Sequence, residues 1–180
     1  MIPKINRKII LIVFLTIILF IFSCEKHDFK CKYYDINGNR ISETEFRFNG
    51  GNGILKMYYM GENGVKFIDE FEYKNMKENG KWIRWNDSKG YKNKEGVYKD
   101  GLKQGKEIWW DKNGQKLAEI NYKNGKIDGK CFDYYDNNTI LSEINYKDGK
   151  MHGRRKVWAY SGAVLSEEIY QEGKLVKKIK

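Results

Sequence analysis

The chain carries three cysteines and two histidines, the side chains best suited to nucleophilic or metal chemistry. Cys131 and His152 form the one conceivable thiol–imidazole pair, because a thiolate nucleophile needs a neighbouring base or cation to activate it. Neither His152 nor His27 is expected to belong to a zinc site. Glu119, Glu143 and Glu167 recur every 24 residues and form a carboxylate column. Calcium takes about six to eight oxygens close together. Carboxylates two strands apart stand about 9.6 Å from one another, too far to share an ion. The column is therefore expected to be a solvated face neutralised by interleaved lysines. No catalytic residue, metal ligand or cofactor site is expected, and the chain reads as a non-enzyme.

What positions these residues is a repeat. Tyr98, Tyr122, Tyr146 and Tyr170 stand 24 apart, as do Gly101, Gly125, Gly149 and Gly173. Trp110, Tyr134 and Trp158 keep the same interval, and so do Leu117, Leu141 and Leu165. Such regularity marks a structural unit stacked on copies of itself. In the unit Gly105–Tyr122, two stretches of alternating character flank Asn113-Gly114, which is expected to supply the positive φ angles of a tight hairpin turn. Ile108 and Trp110 point to one side and Trp109 to the other, while Ala118, Ile120 and Tyr122 share a face. Lys123–Gly129 is a second turn that leads into the next hairpin.

The same plan runs upstream. Tyr33–Glu43 parallels Trp109–Glu119, Tyr58-Tyr59 opens another unit, and Gly80, Ile83 and Trp85 match Gly105, Ile108 and Trp110 at an offset of 25. The fold class is thus all-β: an elongated, single-layer antiparallel β-meander of about six tandem hairpin repeats of ~24 residues. No stretch keeps a helical period. The sole proline, Pro3, lies before the repeats, which suits continuous sheet.

Residues 1–23 read as a lipoprotein signal peptide. Lys4, Arg7 and Lys8 precede the apolar run Ile9–Phe22, and Ser23 stands before Cys24. Ile21-Phe22-Ser23-Cys24 is similar to a lipobox, with Cys24 as the lipidated residue. The run is shorter than the roughly 18–20 apolar residues of a spanning helix. Residues 24–30 then form the lipidated start and linker, and 31–180 the repeat domain. The expected location is the cell envelope, lipid-anchored to a membrane and facing outside the cytoplasm.

The net charge of +10 falls to +7 without Lys4, Arg7 and Lys8. Export makes nucleic acid an improbable partner for this charge and favours an acidic protein or anionic headgroups. Cys31 and Cys131 align with Glu107 in units four apart. Eight strand spacings would separate them by roughly 38 Å, so they are expected to be two free thiols.

Tyr122-Lys-Asn-Gly-Lys-Ile-Asp-Gly-Lys and Tyr146-Lys-Asp-Gly-Lys-Met-His-Gly-Arg resemble the bacterial variant of the MORN repeat. The resemblance spans residues 98–175 strongly and 30–97 more weakly, where Met76 replaces a turn glycine. It implies an open antiparallel sheet and a scaffolding, membrane-associated or antitoxin-like role, and it carries no catalytic residues. Trp110, Tyr134 and Trp158, with Tyr122 and Tyr146, are the expected binding residues. Three functions stay open at this point: a protein-binding scaffold, an antitoxin or immunity protein that neutralises a toxin, and attachment to lipid headgroups or cell-wall polymer.

Overall fold

The computed structural model describes residues 29–61, 64–86 and 90–180. The signal-like segment, Cys24 and His27 lie outside the described residues. The elements are β1 (Phe29–Tyr34), β2 (Arg40–Ile41), α1 (Glu43–Phe48), β3 (Gly53–Gly61), β4 (Gly64–Lys74), β5 (Lys77–Asn86), β6 (Tyr91–Lys99) and β7 (Leu102–Trp110). They continue as β8 (Lys116–Lys123), β9 (Lys126–Ile127), β10 (Gly129–Tyr134), β11 (Ile140–Lys147), β12 (Lys150–Trp158), β13 (Val164–Gln171) and β14 (Lys174–Lys178).

All fourteen strands join one open antiparallel sheet, in the order β14-β13-β12-β11-β10-β8-β7-β6-β5-β4-β3-β1-β2, with β9 paired to β8. The expected meander is therefore present. Twelve strand steps at ~4.8 Å make the sheet about 58 Å long in the hydrogen-bonding direction.

The turns fall into two classes, and similar dipeptides serve both. On one edge Asp100-Gly101, Asn124-Gly125, Asp148-Gly149 and Glu172-Gly173 have positive φ at both residues, the signature of the two-residue type I′ hairpin turn. Asn75-Met76 adopts the same shape with φ of 52° and 61°, so a long side chain occupies a position that favours glycine. On the opposite edge, at Asn113-Gly114, only Gly114 has positive φ. There Asp111 accepts from the Asn113 and Gln115 amides at 2.8 and 2.9 Å, and the Gln115 carbonyl accepts from the Asp111 amide at 2.9 Å. This is a longer loop of a type I turn closed by an αL residue, not the tight turn expected there.

The type I′ turns are clasped to one another. Gly101, Gly125, Gly149 and Gly173 donate their amides to the carbonyls of Glu78, Lys103, Ile127 and Met151, at 2.8–2.9 Å. Gln104 and Asp128 accept the Asn124 and Asp148 amides at 2.9 and 3.1 Å. His152 holds the equivalent place in the next unit, its Nδ1 3.3 Å from Glu172 Oε1.

The first unit departs from the plan. Its return strand is only β2, paired to Tyr33 and Tyr34. The chain then enters α1, and β3 pairs on the other side of β1. Ser42-Glu-Thr-Glu45 is a capping box: Ser42 Oγ accepts from the Glu45 amide and the Glu45 carboxylate accepts from the Ser42 amide. This short helix, which the apolar period did not announce, docks Phe46 on one face of the sheet. Phe46 is 3% exposed and lies beside Tyr33 and Tyr73, with ring centroids 5.3 and 6.0 Å away.

The expectation of two free thiols is corrected in part. Cys131 is a buried free thiol, its pKa raised by burial. Cys31 is disulfide-bonded. Seven strand steps between β1 and β10, about 33 Å, keep the two apart.

Candidate functional site

Cross-strand partners in a sheet share a face, which sorts the side chains into two sets. One face holds the row Lys56–Glu70–Ile83–Glu95–Ile108–Glu119–Phe132–Glu143–Lys156–Glu167. We call it the glutamate face. The other carries Leu55, Phe71, Trp82 and Gly96 in one row, and Asp69, Arg84, Lys94, Trp109, Ala118, Asp133 and Ser142 in the next. Phe46 docks here, and we call it the helix face.

On the glutamate face the four units from β5/β6 to β12/β13 repeat one arrangement. A cation on the first strand reaches a glutamate on the second: Lys81–Glu95 at 3.1 Å, Lys106–Glu119 at 2.6 Å, Lys130–Glu143 at 2.8 Å and Arg154–Glu167 at 3.2 Å. A second cation often joins, as Lys92 does at Glu95, Lys116 at Glu119 and Lys156 at Glu167. Bulges between Arg84/Trp85 and Trp109/Trp110 set Lys92 opposite Trp85 and Lys116 opposite Trp110. Those bulges bring the lysines onto this face beside the glutamates. Burial alone would raise the Glu119 pKa, but the hydrogen bonds and charges of Lys106 and Lys116 hold it below the usual carboxylate value. Lys92 and Lys81 do the same for Glu95.

The expected aromatic column lies on this face. Lys92 sits over the Trp110 ring at 4.1 Å, Lys116 over Tyr134 at 5.3 Å and Lys156 over Trp158 at 5.3 Å. Trp110, Tyr134 and Trp158 are each half-buried. The carboxylate column is thus internally neutralised, as its interleaved lysines implied, but it is not the solvated face expected: Glu119 is 6% exposed and Glu143 and Glu167 are half-buried beneath their cations. Trp85 and Glu95 extend the two columns by one unit. Their offsets of 25 and 24 from Trp110 and Glu119 were the available signal for Glu95, which was not singled out.

Tyr122 and Tyr146, the other expected binding residues, are placed on the opposite side. Each faces a glycine across the strand pair, Gly105 and Gly129. Tyr122 lies under Lys103 at 4.8 Å, and burial together with the Glu107 charge pushes its phenol up to about 12. The five expected contacts therefore divide between two faces and cannot form one patch.

The helix face carries the core. Leu55 and Trp82 are 4% and 6% exposed, and Phe71, Trp82 and Tyr98 stack within 6.1–6.3 Å of one another. Beside them runs a charged row. Asp69, 1% exposed, takes a bidentate pair of hydrogen bonds from Arg84 at 2.6 Å. Glu107, 3% exposed, accepts from Lys103 and from the Trp109 indole. Lys94 Nζ lies 3.5 Å from the Trp109 ring centroid. Desolvation and then the Arg84 charge lower its pKa.

Cys131 and His152 are not brought together. Cys131 is in the row with Ile144 and Arg155 on this face, while His152 belongs to the turn edge two strands away. Among the described residues no group of three or more His, Cys, Asp or Glu side chains is arranged to hold a metal ion.

The edge of type I′ turns is basic. Lys74, Lys77, Lys99, Lys123, Lys126, Lys147, Lys150 and Lys174 are exposed along it, against Asp100, Asp148 and Glu172.

Residues 103–124 and 127–148, two adjacent units, match the family model described as the MORN repeat variant. They correspond to the β7/β8 and β10/β11 hairpins with the turns that follow. No curated protein matches the chain. The neighbouring hairpins β5/β6 and β12/β13 keep the same glutamate-to-cation pairing and the same bulge position.

Proposed function

We propose that the chain is a non-catalytic repeat protein, anchored to the cell envelope through a lipid on Cys24, that binds another protein across its open sheet. The observation that carries this reading is the line of half-buried aromatics, Trp110, Tyr134 and Trp158, on the solvent side of a sheet with no second sheet over it among the described residues. Aromatic area of this kind supplies binding energy when a partner covers it, and the lysine edge would steer an acidic partner towards it.

Intact mass, read for the lipid on Cys24, tests the anchor. Affinity capture from an envelope fraction, with Cys24→Ser as the unanchored control, tests the binding. A tryptophan buried by a partner is worth about 2 kcal/mol or more on truncation, or about thirtyfold in Kd. Trp110→Ala and Trp158→Ala should therefore release the captured protein. Undiminished capture by both variants, each still folded, would remove the aromatic column from the contact.

A further inference from the structure

Comparing the units with one another separates what builds the sheet from what is particular to one place on it. On the glutamate face the same residue types recur: Glu70, Glu95, Glu119, Glu143 and Glu167, with a cation for each. On the helix face the equivalent positions change from unit to unit. Lys94 stands where later units have Ala118, Ser142 and Ser166. Arg84 stands where they have Trp109, Asp133 and Val157. Nothing in the repeat demands a lysine or an arginine at these two sites.

Among the described residues the charges there do not balance. The largest acting on Lys94 are Arg84, Glu107, Lys103 and Asp69. Both Asp69 oxygens are taken by Arg84. Glu107 is taken by Lys103 and Trp109. Two carboxylates face three cations, and the ammonium of Lys94 is left with an aromatic ring and with no carboxylate at ion-pair distance among the described residues. A second group is also unsatisfied. The Trp82 indole N–H has no hydrogen-bond partner although the residue is 6% exposed. It lies 2.5 Å from where a Cβ on Gly96 would stand, two residues along β6 from Lys94 and on the same face. A half-buried cation and an orphaned buried donor both favour an acceptor.

We infer that Lys94, with the Trp82 N–H beside it, anchors a carboxylate side chain of a protein partner laid on the helix face. This rests on the protein-binding reading above and names the chemistry of one contact. A carboxylate's single negative charge matches the single uncompensated positive one, and its two oxygens can accept from both donors. Because the Trp82 N–H is buried, this contact requires the Lys103 arm, 5.2 Å over the Trp82 ring, to move aside. The occupant is a side chain on a protein rather than a free small acid, because the face is open. A free acid would bury little of itself there, whereas an aspartate or glutamate on a protein segment arrives with neighbours that cover Tyr98 and Trp109.

The probe is an eight-residue peptide of alternating glutamate and alanine, acetylated, amidated and fluorescein-labelled. Its anisotropy is read with the full chain in a non-ionic detergent. Lys94→Gln should weaken binding about tenfold. Lys99→Gln, the same charge change on the exposed turn edge, should alter it less than twofold. In parallel, the five tryptophans are labelled at the indole nitrogen, and the Trp82 signal is assigned by its loss in Trp82→Phe. That signal should move on adding peptide to the native chain and stay still in Lys94→Gln, whose remaining indole signals report that it is folded. Equal losses in both lysine variants, no loss in Lys94→Gln, or an unmoved Trp82 signal would overturn the assignment. Capture through the Trp110 and Trp158 face is read separately, so the anchor can fail while the scaffold reading stands.

Discussion

Gly96→Ala reverses a general expectation, and the structure says why. Glycine inside a strand costs conformational entropy, so alanine there ordinarily stabilises by about 0.5–1 kcal/mol. Gly96 has no positive φ to forbid the change. Its cross-strand partner, however, is Trp82, whose Nε1 would stand 2.5 Å from the new Cβ, with Cδ1 and Cε2 at 3.3 Å. That is about 1 Å inside ordinary contact. Trp82 is 6% exposed and held by Phe71 and Tyr98, so it has little room to yield. Overpacking of this kind costs about 1–3 kcal/mol, which leaves Gly96→Ala destabilising by roughly 1–2 kcal/mol net. Other units solve the same position with other pairs: Glu107 with Ile120 and Cys131 with Ile144. The clash therefore belongs to this one pair. Urea unfolding followed by tryptophan fluorescence gives the single-variant value, and the same substitution in a Trp82→Leu background gives the coupling. With the indole gone the sign should invert and Gly96→Ala should stabilise. A neutral or stabilising effect in the native background, or an unchanged sign beside the shorter side chain of the Trp82→Leu background, would refute the reasoning.

Glu119→Gln removes the carboxylate shared by Lys106 and Lys116 and should cost about 1–2 kcal/mol near neutral pH, since charge-assisted hydrogen bonds to a buried acid are lost while both lysines stay partly solvated. The folded-state pKa of Glu119 is lowered, so its contribution is present above the ordinary carboxylate value and lost as pH falls through the lowered one; the gap between native and variant urea midpoints should therefore close on acidification, and a gap that persists in acid would contradict the ladder. Met76→Gly should raise the Tm, because φ of 61° is strained for methionine and relieving it is worth about 1 kcal/mol, reduced by loss of the sulfur that now lies over Gly51. A lower Tm would show that the sulfur contact outweighs the strain.

The strands and the order of the sheet were legible because strand alternation and Asn-Gly or Asp-Gly turns are local signals. The neutralised glutamate column was legible too, since its lysines share the period. Less could be read where the deciding partner is elsewhere. Asn113-Gly114 and Asn124-Gly125 look alike, yet Asp111 draws the first into a longer loop. The helix after Ser42 is marked by a cap rather than by an apolar period, and six residues are too few to show one. The division of Trp110, Tyr134 and Trp158 from Tyr122 and Tyr146 follows from alternation once the register sets Tyr122 opposite Gly105 and Tyr146 opposite Gly129. Asp69, Arg84, Lys94 and Glu107 did not stand out because they break the repeat, and their meeting depends on register across four strands.

The type I′ turns at Gly125 and Gly149 each fasten to the unit before through one glycine amide and one side chain. A duplicated stretch of 24 residues could therefore be spliced between two existing units without redesigning either. Every such copy would push the ends about 9.6 Å further apart. The number of copies thereby becomes a ruler that evolution can lengthen or shorten, while the sites written into individual units travel along unchanged.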